Sequence, residues 1–597
     1  MTNNLRPFQR LPLPKPCDYD PGTEYFYNNF VKYLSDDMIK LMCTGIYIDY
    51  DAVEDLRSTI DDVLSNVEAK LLRNPIIQKY QEQRAKKAQK EHYENCVKSV
   101  RTPEYYLKKY DGSIIHRTWV VNTYLKSIGL EKDTKESWSL KNLKNYNVFK
   151  EDKVLASIID KTISKDSAIL NSGMLALAEY KTELWNRPRY EKGKEKAKLD
   201  PFNPGSAKQK QELFKMLEIE PYAFSDKTDE GSWGRDYIEL LLKERKGQDE
   251  HLDEILECII DHSYGGIIKG TFLKAFDTFS IDNVLYGNIK LCGAKTFRNT
   301  SNSPNLLNMP STKSIYAKPL KTCFIAPKGK LVIQCDFQSL EDVVLANISG
   351  DKGKIDILTD KTLDSHCYNA YGYFKERVEA IVGTEGSVKD KVRRFKAGVD
   401  EGNKELKNIR QESKPHTFGL AYGKFPDEHK GGAITQEIFD RYHNVLYPGV
   451  TDFRENYVYK TALQQGYIHL GLGARIYSDN PSNDIRTLNN ACSQFWSILT
   501  LIAINELNYR IEEEGLQEDI QICSTIYDSI YAYITPDSKI IQWYNNNVYE
   551  IGSRDFMEEQ VIKNNLTCGI GRNWAEEIAI PVNASIEKIN SILKEIT

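Results

Sequence analysis

The run at residues 331–351, LVIQCDFQSLEDVVLANISGD, constrains the fold more than any other stretch of this chain. Apolar Leu331, Val332 and Ile333 lead to an isolated carboxylate, Asp336, and the chain then turns into an amphipathic, helix-like stretch carrying Glu341. A strand that delivers an aspartate to its exposed end can hold a divalent cation. Taken alone, the plainer reading is an aspartate capping the next helix. Two later segments bear on the choice.

Residues 410–423, RQESKPHTFGLAYG, set Arg410, Lys414, Phe418 and Tyr422 four apart. On a helix this spacing lines two cations and then two aromatics along one slowly drifting face. Arg clamps a phosphate with two parallel bonds, Lys acts as a point charge, and an aromatic face can stack on a base. A solvated basic turn followed by two core aromatics has the same pattern. Residues 521–534, QICSTIYDSIYAYI, read as a strand, a tight turn at Tyr527, Asp528 and Ser529, and a second strand. Asp528 is either an ordinary turn former or a carboxylate facing a partner on a neighbouring strand. In the second case Asp336 and Asp528 could share two Mg²⁺ ions.

Together and in this order, the three segments resemble motifs A, B and C of the family A DNA polymerases. The resemblance extends to residues 44–72 (a thumb-opening helix), to FNPGSAKQKQELF at 202–214, and to GAKTFRNTSNSPNLLNMP at 293–310. It continues through 466–494, where Arg486, Asn490 and Gln494 recur every four residues, and ends at Asn573–Trp574. Ser206 and Gln209 also form a capping-box pattern. An ordered series of motifs is far more specific than any one of them.

The resemblance implies an α+β, right-hand polymerase fold with a helical thumb, an antiparallel-sheet palm and helical fingers. Residues 1–40 would be an N-terminal arm and 41–290 the thumb with insertions. Residues 291–360 and 451–597 would form the palm, and 361–450 the fingers. It implies a template-directed DNA polymerase, a nucleotidyltransferase of DNA replication. Asp336, Asp528 and the main-chain oxygen of Phe337 would be the Mg²⁺ ligands, with Mn²⁺ able to substitute. Arg410, Lys414 and His366 would hold the triphosphate, and Lys414 could protonate the leaving pyrophosphate. Gln338, Ser339, Glu341, Phe418 and Tyr422 would complete the nucleotide site. Arg298, Arg486, Asn490, Gln494 and Tyr527 would contact DNA. Glu341, paired with Tyr422, would exclude a ribose 2′-hydroxyl and so favour deoxynucleotides.

This sequence departs from the family pattern at several points. Gln338 and Ser339 are exchanged, Asp342–Val343 replaces Leu–Arg, and Phe297 stands where a glycine is usual. Ser529 follows Asp528 where a glutamate is common, so the metal site rests on two aspartates. Pro415 lies inside the motif B helix, where a proline removes one backbone bond and favours a kink. The thumb-like segment begins near residue 40, with no D-x-E pair ahead of it, and no exonuclease domain is expected. Primer–template DNA and dNTPs are the expected partners; the exonuclease would be a separate chain or be dispensed with, and a separate processivity factor could join them.

A net charge of −5 over 597 residues provides no global basic footprint. A nucleic-acid enzyme needs only a local cationic groove, for which residues 84–90 with Arg101, Lys108 and Lys109, and residues 389–396, are candidates. Each is, by itself, an ordinary solvated helix face. Eleven cysteines with no C-x-x-C pair argue against zinc and disulfides and for a reducing cytoplasm. No apolar run suits a membrane span, and the proline-punctuated start reads as an extended arm rather than a signal peptide. The charged, glycine-punctuated stretch 380–407 reads as a loop or small insertion. A monomer is expected, and the Asn, Lys, Ile and Tyr content suggests a phage-like source in a host cytoplasm. Two alternatives stand beside the polymerase: a single-subunit RNA polymerase or primase-like enzyme, which Glu341 opposes, and a non-catalytic DNA-binding replisome protein.

Overall fold

The computed structural model describes residues 22–108, 168–221, 231–310, 315–426, 434–557 and 560–596. Of the expected arm at 1–40, residues 1–21 lie outside them, as do residues 109–167 of the expected thumb; residues 22–40 are helical and bury Phe26, Phe30, Leu34 and Met38 in the main core. The chain forms two compact units: Met1–Glu68, Ile219–Gln248 and Leu256–Thr597 in one, Ala69–Glu218 and Asp249–Ile255 in the other.

The first unit is built on a five-stranded antiparallel sheet. Its strands are β1 (Leu331–Phe337), β2 (Ile520–Ile526), β3 (Ser529–Ile534), β4 (Leu566–Gly571) and β5 (Glu577–Ile580), ordered β2-β3-β1-β4-β5. Alternate side chains of a strand point to opposite faces. Ile333, Cys335 and Phe337 of β1 therefore share a face with Ile530, Ala532 and Ile534 of β3 and with Cys568 and Ile570 of β4, all buried in the main core. The opposite face buries Val332, Tyr531 and Tyr533 against a second cluster. There Trp574 stacks between Tyr531 (ring centroids 4.2 Å apart) and Phe324 (4.6 Å). Asp336 is on this second face, at the end where the apolar cover stops.

Because Cys335 and Cys568 are directly opposite on antiparallel strands, their Cα atoms are 4.3 Å apart, and the two are joined as a disulfide. This corrects the expectation of no disulfide. The partners are 233 residues apart, so no local cysteine spacing announces them.

Five helices of this unit carry or support the candidate site: α1 (Leu340–Ser349), α2 (Lys352–Thr359), α3 (Ser365–Tyr373), α4 (Lys404–Ala421) and α5 (Pro481–Gln494). Residues 380–407, expected as a loop, are mostly helical. Lys375–Val382 and Val388–Asp400 are helices, the second opened by a reciprocal Ser387–Asp390 capping box. Val392 and Phe395 pack with Val378, Leu406 and Ile409, an apolar stripe hidden among the charges. Helix α4 continues through Pro415. Ser413 Oγ donates to the Arg410 carbonyl (2.9 Å), and Thr417 Oγ1 donates to the Ser413 carbonyl (3.1 Å), so hydroxyls on both sides of the proline bind main-chain oxygens of the turn before it.

The second unit is helical among its described residues. Pro75–Val97 begins at Asn74, whose side chain accepts from the Ile76 amide (3.0 Å) and donates to the His251 carbonyl (2.9 Å). Ala168–Lys194 packs along it, and Trp185 is flanked by the guanidinium groups of Arg101 (3.4 Å) and Arg189 (3.7 Å). Ser206 caps Ala207–Met216 through the Gln209 amide (3.3 Å), but the Gln209 side chain accepts from Asn203 rather than Ser206 (2.9 Å). The expected box is thus half formed, with its return bond moved three residues upstream.

Candidate active site

The end of β1 and the β2–β3 turn meet because their strands pair in register, Asp336 opposite Ser529. Ser529 Oγ donates to Asp336 Oδ1, and the Phe337 amide donates to the Asp528 carbonyl (3.0 Å). Tyr527 holds the turn with φ +55°. Asp336 does not cap α1, because Ser339 occupies the cap position in a left-handed conformation with no side-chain bond to the helix. Its carboxyl is therefore left for other work.

Burial, then the neighbouring Asp528 carboxylate, push Asp336 up to about 6, against the opposing pull of Ser529 and Lys321. Burial also raises Asp528, while Arg298 opposes it. Two half-buried acids this close repel when both are charged, and a bound divalent cation relieves that repulsion. The donor set, hard carboxylate oxygens, suits Mg²⁺ or Mn²⁺. Among the described residues no group of three or more His, Cys, Asp or Glu side chains is placed to hold a metal.

Beside this pair lies a second cluster. Tyr422, at the C-cap of α4, donates its hydroxyl to Glu341 Oε2 (2.5 Å). Arg298 forms an ion pair with Glu341 Oε1 and lies 4.8 Å from the centre of the Tyr527 ring. Gln494, at the end of α5, also bonds Tyr422. The Asn490 amide donates to the carbonyls of Tyr422 (3.1 Å) and Arg486 (3.2 Å) in the orientation that satisfies both of its atoms. Asn489, absent from the sequence reading, donates to the Ala421 carbonyl (2.9 Å) and ties α5 to the end of α4.

A third cluster joins α3 and α4. Arg410 grips Asp364 with two bonds, Nε to Oδ1 (3.0 Å) and Nη2 to Oδ2 (2.8 Å). His366 meets Phe418 edge-on, with ring centroids 6.1 Å apart. Burial first, then the charges of Lys414 and Arg410, lower His366 to about 4, so at neutral pH it is an uncharged imidazole between cations. Phe418 is 44% exposed and free to meet a planar group.

The sequence-named residues thus gather into three adjoining groups. Asp336, Asp528 and Phe337 form the first. Arg298, Glu341, Tyr422, Tyr527, Asn490 and Gln494 form the second, and His366, Arg410, Lys414 and Phe418 the third. Gln338 and Ser339 are exposed at the β1–α1 junction, where Gln338 accepts from the Asn565 side chain (2.6 Å). Arg486 stands apart, lining a cleft of about 180 Å³ with Phe425, Arg454 and Tyr459. Sequence reasoning missed Asp364, the anchor of Arg410, although its Asp-x-x-Cys position at the start of α3 is a readable cap. It also missed Lys321 and Glu577. Lys321 favours the charged forms of Asp336 and Glu577, whereas burial and Asp336 raise Glu577. No local spacing marks either residue.

Comparison with known proteins agrees with this architecture. The profile of DNA polymerase family A matches residues 176–576. DNA polymerase I of Synechocystis is 25% identical over 374 residues, covering 61% of this chain and 34% of that protein. DNA polymerase I of Rhizobium leguminosarum is 24% identical over 291 residues, covering 46% and 26%. The chain thus spans about a quarter to a third of the length of these relatives. In structure it is similar to the POL domain of Pol1 from M. smegmatis, solved in complex with DNA primer–template and dNTP. The TM-score is 0.50 at 16% identity, over 77% of this chain and 81% of that one. That likeness places the antiparallel sheet and its helices in the right-hand polymerase fold. With two thirds of its length matched by the family profile, the chain belongs to DNA polymerase family A.

Proposed function

We propose that this chain is a template-directed DNA polymerase that adds deoxynucleotides to a primer 3′ end, with primer–template DNA and dNTPs as its substrates. The observation that carries this reading is the pairing of β1 with β3, which sets Asp336 and Asp528 side by side in a half-buried pocket bordered by cations and aromatics. In this reading residues 291–360 and 451–597 serve as palm, 361–450 as fingers and 41–290 as thumb. Asp336, Asp528 and the Phe337 carbonyl would hold two Mg²⁺ ions. Bound there, the metal supplies Lewis acidity at the primer hydroxyl and offsets the charge of the triphosphate.

The chain's own groups do the rest. Arg410, oriented by Asp364, and Lys414 bind the triphosphate, and Lys414 can return a proton to the departing pyrophosphate. His366, kept neutral, offers a hydrogen bond without adding a third charge. Phe418 and Tyr422 pack beside the incoming base, with Gln338 and Ser339 at the rim. Arg486, Asn490 and Gln494 face the new duplex, where minor-groove acceptors common to all correct pairs report shape rather than sequence. The Glu341–Tyr422 bond fills the space of a 2′-hydroxyl, which supports DNA over RNA synthesis. Among the described residues no helix is long and apolar enough to cross a membrane.

Primer extension with Mg²⁺ tests the reading, comparing wild type with Asp528→Ala. Extension lost in the variant, with primer–template binding retained, is expected. Folded wild-type protein that binds primer–template but extends nothing would refute catalysis and favour a DNA-binding role.

A further inference from the structure

We propose that Arg298 is a specificity-determining residue for the sugar of the incoming nucleotide, acting by fixing Glu341; this rests on the polymerase reading above. Each Glu341 oxygen has its own donor: Oε2 takes the Tyr422 hydroxyl and Oε1 takes the Arg298 guanidinium. A carboxylate held by one donor still swings about its last bond, whereas one held at both oxygens has a single orientation. A steric filter one hydroxyl wide depends on that orientation.

Arg298 is itself held from behind. It follows Phe297, which takes a left-handed conformation (φ +64°) in a turn closed by the Phe297 amide to the Ala294 carbonyl (2.9 Å) and the Ala294 amide to the Arg298 carbonyl (3.0 Å). The Phe297 ring packs edge-on against Phe26 and Phe495, with centroids 6.0 and 5.8 Å away. The side chain so presented stands between the hairpin tip and the sugar filter. Tyr527 lies under its guanidinium, and Glu341 and Tyr422 receive it on the other side. Arg298 thereby joins the site of the primer end to the site of sugar selection. A residue that only touched the duplex would need no bond to Glu341.

The test measures single-nucleotide insertion of a dNTP and the matching rNTP by wild type, Arg298→Ala, Arg298→Lys, Glu341→Ala and the double variant R298A/E341A. Arg298→Ala should raise rNTP insertion relative to dNTP by roughly tenfold, the scale of one charge-assisted hydrogen bond. Arg298→Lys, which lacks the fork, should fall between it and wild type. The double variant should discriminate no worse than Glu341→Ala, because both changes disable one device. If Arg298→Ala slows both substrates by the same factor, or if the effects of R298A and E341A multiply, Arg298 acts on DNA alone and the inference falls. Wild type inserting neither nucleotide would instead refute the polymerase reading, and this inference with it.

Discussion

Asp342→Leu should destabilise the catalytic unit far more than its position on a helix surface suggests. Asp342 stands in the first turn of α1 at a site where the family usually has leucine, so leucine looks harmless from sequence. In the structure Asp342 Oδ1 accepts from Lys354 Nζ at 2.6 Å, and the Lys354 side chain is only 3% exposed. The ammonium also lies 4.5 Å from the centre of the Tyr447 ring, whose hydroxyl donates to Asn369. Leucine at 342 would strand this cation away from water and leave it only the ring. Removing one partner of a buried pair costs about 3–5 kcal/mol, whereas replacing both with apolar groups of similar size is often neutral. Asp342→Leu alone should therefore cost about 3–5 kcal/mol, and Asp342→Leu with Lys354→Met about 1 kcal/mol or less. Urea unfolding followed by tryptophan fluorescence measures the totals. Hydrogen exchange in α2, which carries Lys354, locates the loss. A single variant within 1 kcal/mol of wild type, or a double variant no better than the single, would refute the reasoning.

Two further predictions follow from buried groups. Burial lowers both His366 and His443 to about 4, with the charges of Lys414 and Arg410 adding at His366 and Arg454 at His443. An unfolded histidine titrates near 6.5. Between about pH 6.5 and 4 the unfolded chain therefore binds protons that the folded one refuses, so stability is full at pH 7 and falls as pH drops through that window, by up to about 3 kcal/mol per histidine. The pH dependence of the urea midpoint should flatten in His366→Gln and His443→Gln, and an unchanged slope would refute the assignment. The second prediction concerns the sheet. Peptides containing Cys335 and Cys568 should be recovered cross-linked from a non-reducing digest of protein alkylated before unfolding, and separately alkylated peptides would contradict the pairing.

What the sequence determined alone is what neighbours in the chain decide between themselves. The apolar strands β1 and β3, the turn at Tyr527 and Asp528, the cap at Ser206 and the cation–aromatic face of α4 all follow from residues within a few positions of one another, where period and turn chemistry act directly. The ordered motifs then carried the fold class. Local pattern failed where apolar residues were sparse among charges, as in Val388–Asp400, whose buried Val392 and Phe395 become a core face only against Val378 and Leu406.

Tertiary structure alone decided the partnerships that give the site its chemistry. Strand register placed Ser529 and Thr567 on either side of Asp336 and set Cys335 against Cys568. Packing of the short helix Ala317–Thr322 brought Lys321 to the acids, and α3 brought Asp364 to Arg410. Register is set by burial of whole sheet faces, and a slip of one residue would turn every side chain to the wrong side. Such long-range choices rest on the summed packing of many residues, so no single segment of the chain contains them.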